Sequence, residues 1–241
     1  MPYRRLPNTD AARIRAMKTA LEKGKEMPPH LMAFSSKTLV RLETYLPHFE
    51  DSIHLQRQSI SSQNNKSKDY NEIERKARIY LTHFIKVMNM AIFRGELPVE
   101  TRAYYGLPTN ECTVPSMNTE NELLNWGKRI IEGEESRIKN GGSPITNPTI
   151  AVVRIRFEQY CEALNFYKTL NKRTMDHTMK NKEMRREADE IILNIWNEVE
   201  TSYSNYPPDK RREKCEEYGL VYFFRKYEQC QPLSVELQSS L

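Results

Sequence analysis

The chain states one pattern twice, and the second statement begins about 111 residues after the first. Leu39, Leu42, Leu46, Phe49, Ile53 and Ile60 are matched by Ile150, Val153, Phe157, Tyr160, Leu164 and Asn171. Ile73, Ala77, Tyr80, Phe84 and Ala91 are then answered by Met184, Ala188, Ile191, Ile195 and Ser202. Each series runs through prolines into the same tripeptide, Tyr105-Gly106-Leu107 and Tyr218-Gly219-Leu220. A fixed internal period makes the unit of architecture half the chain, so each half must fold by the same rules.

The period inside each half is helical. Apolar residues recur at three-four spacing, the signature of a helix with one buried face. Only eight glycines occur in 241 residues, too few for a sheet joined by tight turns. Charged residues make up 29% of the chain, as expected of long helices with solvated outer faces.

These signals predict six helices. The first runs from about Asp10 to Lys25 behind Asn8 or Thr9 as cap, and Pro28-Pro29 ends it. The second starts after Ser35 or Ser36 and continues to Ile60 through Pro47, which should kink it. The third opens on Asp69 and Glu72, read as a capping box, and ends before Gly95 and Pro98. The fourth opens on Thr119 and Glu122, carries Leu123, Trp126, Ile130 and Ile131, and closes at Gly141-Gly142. Asn147 and Pro148 read as cap and first-turn proline of the fifth, which extends to about Met179. The sixth follows a turn near Asn181 and ends at Tyr206-Pro207-Pro208.

The fold expected is all-α: a helical bundle built from two tandem helical hairpins, helices 2 and 3 and helices 5 and 6, braced by helices 1 and 4. The first repeat unit spans residues 8–107 and the second 108–230, packed as one compact bundle, with 231–241 a disordered tail. One end of such a bundle carries the hairpin turns, near 60–70 and 175–185. The other carries both Tyr-Gly-Leu exits.

The opening Arg4-Arg5-Leu6-Pro7-Asn8-Thr9-Asp10-Ala11-Ala12-Arg13 resembles the start of a group of uncharacterised bacterial all-helical proteins. The resemblance covers about 20 residues. It implies a helical fold and a bacterial cytoplasmic origin, and it brings no activity and no site residue. A cytoplasmic location also fits the cysteines. Cys112, Cys161, Cys215 and Cys230 share no CxxC or CxxxC spacing and read as reduced thiols. No apolar run approaches the roughly 20 residues that span a bilayer, and no apolar core follows Arg4-Arg5 as in a secretory signal.

No catalyst, metal site, cofactor or small-molecule ligand can be nominated. Asp51-x-x-His54 is the nearest approach to the Glu-x-x-His pairs of two-metal bundles, and it has no second copy. The remaining histidines, His30, His48, His83 and His177, lack such spacing. GxGxxG, GxxxxGK[ST], HExxH and GxSxG are all missing from the sequence. Cys161 beside the helix seam reads as a small buried hydrophobe rather than a nucleophile.

Two surfaces are left as candidates. Residues 165–186 carry a net charge of +5 and residues 56–78 a net charge of +3, whereas the whole chain is +5. If the hairpin turns align, Lys172, Arg173, Lys180, Lys182, Arg185 and Arg186 join Lys66 and Lys68 at a basic tip that could meet an anionic partner such as nucleic acid, or simply remain solvated. Lys182, Arg185 and Arg186 would oppose the dipole at the start of a helix there, so helix stabilisation does not account for them. At the opposite end Arg102, Tyr104, Tyr105, Tyr218, Tyr222, Phe223 and Phe224 are expected together. That cluster either lids the bundle, with at least two of Tyr222, Phe223 and Phe224 buried, or docks a protein partner or a second copy. The function expected is protein–protein interaction or scaffolding, possible self-association included, and the alternative is nucleic-acid association through the basic tip.

Overall fold

The computed structural model describes residues 3–224, so the expected disordered tail at 231–241 lies outside the described residues. The chain is all-α apart from one short strand pair. Its elements are β1 (Tyr3–Arg4), α1 (Asp10–Glu26), α2 (Ser36–Phe93), a 3-10 helix (Val99–Tyr105), α3 (Glu120–Lys139), α4 (Ile150–Ser202), α5 (Pro208–Glu216) and β2 (Tyr222–Phe223).

The hairpin turns expected near 60–70 and 175–185 do not form. α2 is one helix of 58 residues and α4 one of 53. The cause is visible in what those segments lack: from His48 to Arg94 and from Thr149 to Tyr206 there is no glycine and no proline. Nothing there ends a helix. Asp69 and Glu72 do not cap a third helix; they face Lys66 and Lys76 along the surface of α2, at 3.2 and 2.6 Å. Pro47 lies inside α2. α4 begins at Ile150 rather than Pro148, with Thr149 O accepting from Val153 N at 3.2 Å.

Local signals were decisive at the shorter helices. Thr9 caps α1, its hydroxyl accepting from Ala12 N at 3.2 Å. Thr119 and Glu122 form a reciprocal capping box on α3, and Asn140 with left-handed Gly141 closes that helix.

The chain divides into two compact units, each drawing on both halves of the sequence. The first comprises Met1–Gln58 and Met175–Leu241, and the second Ser59–Thr174. The boundaries therefore do not fall at 107/108 as the tandem hairpins required. Uninterrupted α2 and α4 run antiparallel in each unit, so the beginning of one meets the end of the other.

In the first unit, Thr38 bonds Glu198, Tyr45 bonds Met184 O, and Ser52 bonds Asn181. The core joins Leu42, Phe49 and Ile53 of α2 to Ile191, Ile195 and Trp196 of α4, with Met17 and Ala20 of α1 beneath. β1 pairs antiparallel with β2 in the register Tyr3↔Phe223 and Arg4↔Tyr222. Removing a side chain such as Phe49 or Trp196, both fully buried, would cost about 3–5 kcal/mol.

In the second unit, Leu81, Phe84 and Met88 of α2 pack with Val153, Phe157 and Tyr160 of α4 and with Leu123 and Ile130 of α3. Gly127 lets α3 approach: a Cβ there would lie 2.1 Å from the Phe157 ring. Tyr70 stacks on Tyr167 at 4.7 Å, and Arg156 lies 5.5 Å over the Tyr80 ring.

Candidate interaction surfaces

The basic residues do not make a tip, because the turns that would carry them are helix. Lys66, Lys68, Lys172 and Arg173 are exposed along α2 and α4 of the second unit; Lys180, Lys182 and Arg186 are exposed on α4 of the first. Lys182, Arg185 and Arg186 sit in mid-helix, so the dipole argument about a helix start does not apply to them. Arg185 is bound internally, with two hydrogen bonds to Asp10 at 2.7 and 2.8 Å and one to Gln56 at 3.3 Å. Its guanidinium holds the Asp10 carboxyl below the usual carboxylate range.

The aromatic end also separates, into residues of the second unit and residues of the first. Arg102 is no rim anchor: it is 0% exposed and clamps the following loop through Pro108 O at 2.6 Å, Thr113 O at 3.0 Å and the Asn89 side chain. Tyr105 is buried, and its hydroxyl donates to Glu134 inside a closed network. Tyr218 is buried against Phe34 and Tyr203. These three belong to the interior because the Tyr-Gly-Leu exits fold back onto the helices. Tyr222 is half-buried and donates to Glu200 at 2.7 Å. Tyr104, Phe223 and Phe224 are exposed, so the lid expected from two of the last three rings does not form among the described residues.

Glu134 and Arg137 are the buried ionic pair of the second unit. Arg137 donates to Glu134 at 2.7 and 2.8 Å and to Ser143 O at 2.6 Å, while Ile145 N donates to Glu134 at 3.0 Å. Burial opposes ionisation of Glu134, yet the bonds from Arg137, Ile145 N and Tyr105 outweigh it and lower its pKa. Burial and the neighbouring carboxylate raise that of Tyr105. Every partner in this network is satisfied internally, which marks it as structural.

The outward surface that the sequence reading missed is apolar and lies in the second unit. On α2, Ile79, Met90 and Phe93 are exposed with His83 and Lys86 between them, at spacings of four, three, four and three residues. That stripe faces away from Ala77, Leu81, Phe84 and Met88. Phe93 is 89% exposed. On α4, Val152, Ile155 and Phe166 are exposed at the same spacing, with Gln159 and Glu162 between. Beside Phe166 lies a groove of about 560 Å³ walled by Tyr70, Ile73 and Tyr167, with Lys66 and Asp69 at its edge. The signal was in the sequence: these residues keep a second three-four register out of phase with the core.

Most of the same positions differ in the first unit. At the 111-residue offset Ile79, Met90 and Phe93 correspond to Glu190, Thr201 and Ser204, and Val152 and Ile155 to Arg41 and Thr44, whereas Phe166 corresponds to Leu55, which is also exposed. Arg41 and Glu190 form an ion pair at 3.3 Å.

The chain matches no family model, no curated protein and no solved structure at a significant level.

No three His, Cys, Asp or Glu side chains among the described residues are grouped to hold a metal ion. Cys112 is exposed, Cys161 half-buried and Cys215 buried, all as free thiols, and Cys230 lies outside the described residues. Burial pushes the thiols of Cys161 and Cys215 up, away from nucleophilic character. No helix among the described residues is long and apolar enough to cross a membrane.

Proposed function

We propose that this protein is a protein-interaction module made from two copies of one plan, a capped helix, a long helix and a short exit helix, and that it self-associates through the second unit. The observation that carries this reading is the outward stripe of Ile79, Met90 and Phe93. Single exposed apolar residues are ordinary, but an aligned series on a helix face is the mark of a contact surface. Its counterpart in the first unit is polar and ion-paired, so the plan itself does not require an apolar outer face.

A second copy of the chain is the partner whose chemistry fits. From Arg75 to Gly95 the sequence contains no acidic residue, and Arg75, Lys76, His83 and Lys86 border the stripe. The apolar face of α4 has Glu162 on it, Glu158 at one border and Arg156 at the other. An α2 face of one copy against an α4 face of another brings apolar residues together and can set the basic α2 side chains against Glu158 and Glu162. The basic residues that suggested nucleic acid are spread along two helices in two units, and that alternative gains no support from their placement.

Sedimentation of the purified chain tests the reading. Self-association should rise with concentration, and Phe93→Glu should abolish it without changing helix content, since Phe93 contributes nothing to the core. Glu158→Lys with Glu162→Lys should weaken it as well. A chain that is monomeric at every concentration, or association untouched by Phe93→Glu, would overturn the proposal.

A further inference from the structure

The first unit contains a cavity of about 530 Å³ above the start of α1, a volume typical of small-molecule sites. Ala12, Ala16 and Gly219 line it as small residues, Leu6, Trp196 and Phe223 as apolar walls, and Arg5 and Arg15 supply positive charge. Arg5 lies 5.0 Å over the Phe223 ring. Neither arginine has an ion-pair partner among the described residues, and Glu216 is the one acid in the lining.

In the second unit side chains occupy part of the corresponding space and leave about 230 Å³ beside Gly106 and Arg129. An offset of 110 aligns the caps Thr9 and Thr119, and it places Glu122, Trp126 and Arg129 where the first unit has Ala12, Ala16 and Thr19. The correspondence is spatial too. A Cβ on Gly219 would lie 3.3 Å from Thr19 Cβ, and one on Gly106 would lie 3.8 Å from Arg129 Nη1.

Glu122 Oε2 accepts from Ser116 Oγ at 3.2 Å and from the backbone N–H groups of Asn118 and Thr119, both at 3.0 Å. Arg129 packs over the Trp126 ring at 5.2 Å. Thus the second unit supplies a carboxylate, an aromatic ring and a guanidinium from its own side chains. In the first unit Ala12 offers no carboxylate to Asn8 and Thr9, Ala16 offers no ring although Trp196 and Phe223 border the space, and Arg5 and Arg15 stand at the opening with no ion-pair partner among the described residues.

We propose that this cavity binds a small aromatic carboxylate. Its carboxylate takes the place of the Glu122 side chain at the N–H groups of Asn8 and Thr9, neutralised by Arg15, and its ring lies on Ala16 against Leu6 and Phe223. A charge-assisted pair with a guanidinium is the strongest polar contact available there. The inference is independent of self-association, which uses the other unit.

Isothermal titration calorimetry of the full chain with 1-naphthoate, and with neutral 1-naphthamide as control, tests it. Naphthoate should give a saturable isotherm and naphthamide a much weaker one. Arg15→Ala should weaken naphthoate by about tenfold or more, the loss of one charge-assisted hydrogen bond. Ala16→Trp, which copies Trp126, should abolish binding. Thr19→Arg, at a half-buried position whose counterpart is Arg129, should do the same where Ala16→Trp disturbs folding. Phe166→Ala, beside the groove of the second unit, should leave affinity unchanged. Absence of a saturable isotherm with the native chain, or equal affinity in the native, Arg15→Ala and Thr19→Arg proteins, would overturn the assignment.

Discussion

The two Tyr-Gly-Leu exits solve one packing problem in opposite chemical ways. In the second unit the Tyr105 hydroxyl reaches a buried carboxylate, Glu134, which Arg137 and Ile145 N also bind. In the first unit the residue aligned with Glu134 at the 110-residue offset is Gly24. It sits so close to Phe34 and Leu39 that a Cβ would lie 2.9 Å from each. Tyr218 accordingly packs edge-on to Phe34 at 6.0 Å, and its buried hydroxyl has Tyr203 rather than a carboxylate as its neighbour. The difference teaches that the backbone plan fixes where the tyrosine goes but leaves open what receives it. One unit relies on an ionic network and the other on aromatic contact.

The sharpest way to break this comparison is to remove the ionic partner. Glu134→Ala strands the buried Arg137 guanidinium and frees the Tyr105 hydroxyl, and one-sided loss from a buried pair costs about 3–5 kcal/mol. That is a large part of a typical domain stability of about 5–15 kcal/mol. Urea denaturation followed by circular dichroism should show it, and amide exchange should place the loss in the second unit. A cost below about 1 kcal/mol would mean that the network is no more than a surface-like pair.

A smaller effect separates the tyrosines. Tyr105→Phe removes a donor from a buried carboxylate and should cost about 1–3 kcal/mol. Tyr218→Phe removes a hydroxyl that faces Tyr203 and no carboxylate, and should cost less, about 0.5–1 kcal/mol. Equal costs for the two substitutions would erase the distinction drawn above.

How much of this was legible in the sequence follows from the range of each signal. Thr9, Thr119 with Glu122, and Gly141 act within one helical turn, so α1 and α3 were read to within a residue or two of their observed ends. The 111-residue register was equally local in each half, and it located most core positions of both sets, with Ile60 and Ser202 exposed. The hairpin turns were misread because the apolar seam lapses around residues 60–70 and 175–185. An interrupted seam reads as the end of a helix. Beside those stretches the first unit carries a polar seam instead. Asn181 Nδ2 donates to Gln56 Oε1 at 2.7 Å, and Gln56 Nε2 donates to Thr178 at 3.0 Å.

Absence of glycine and proline was the better indicator, since a polar seam continues a helix where a breaker would stop it. The candidate sites were less legible for a related reason. A run such as Leu220-Val221-Tyr222-Phe223-Phe224 shows that burial is needed but not which rings obtain it. The cavity above α1 depends on Ala12, Ala16 and Thr19 being small, and small residues announce nothing until their aligned counterparts are known to be large.

The least effect, and the finest test of equivalence, lies in the glycines themselves. Gly106 and Gly219 both adopt left-handed backbone, with φ of 66° and 80°, a conformation that costs an alanine about 1–2 kcal/mol. That penalty is common to both and should appear in Gly106→Ala and Gly219→Ala alike. Their surroundings then differ. At Gly106 the new Cβ meets only the mobile end of Arg129, at 3.8 Å, an ordinary contact. At Gly219 it comes within 3.0 Å of Ala16 O and 3.3 Å of Ala16 Cα, backbone atoms of α1 that cannot step aside without moving the helix. Gly219→Ala should therefore cost more than Gly106→Ala, by on the order of 1 kcal/mol, the lower end of what overpacking costs. Paired urea midpoints at constant m-value measure the difference. Equal midpoints would show that α1 yields at Ala16, and with it the floor of the cavity beside it.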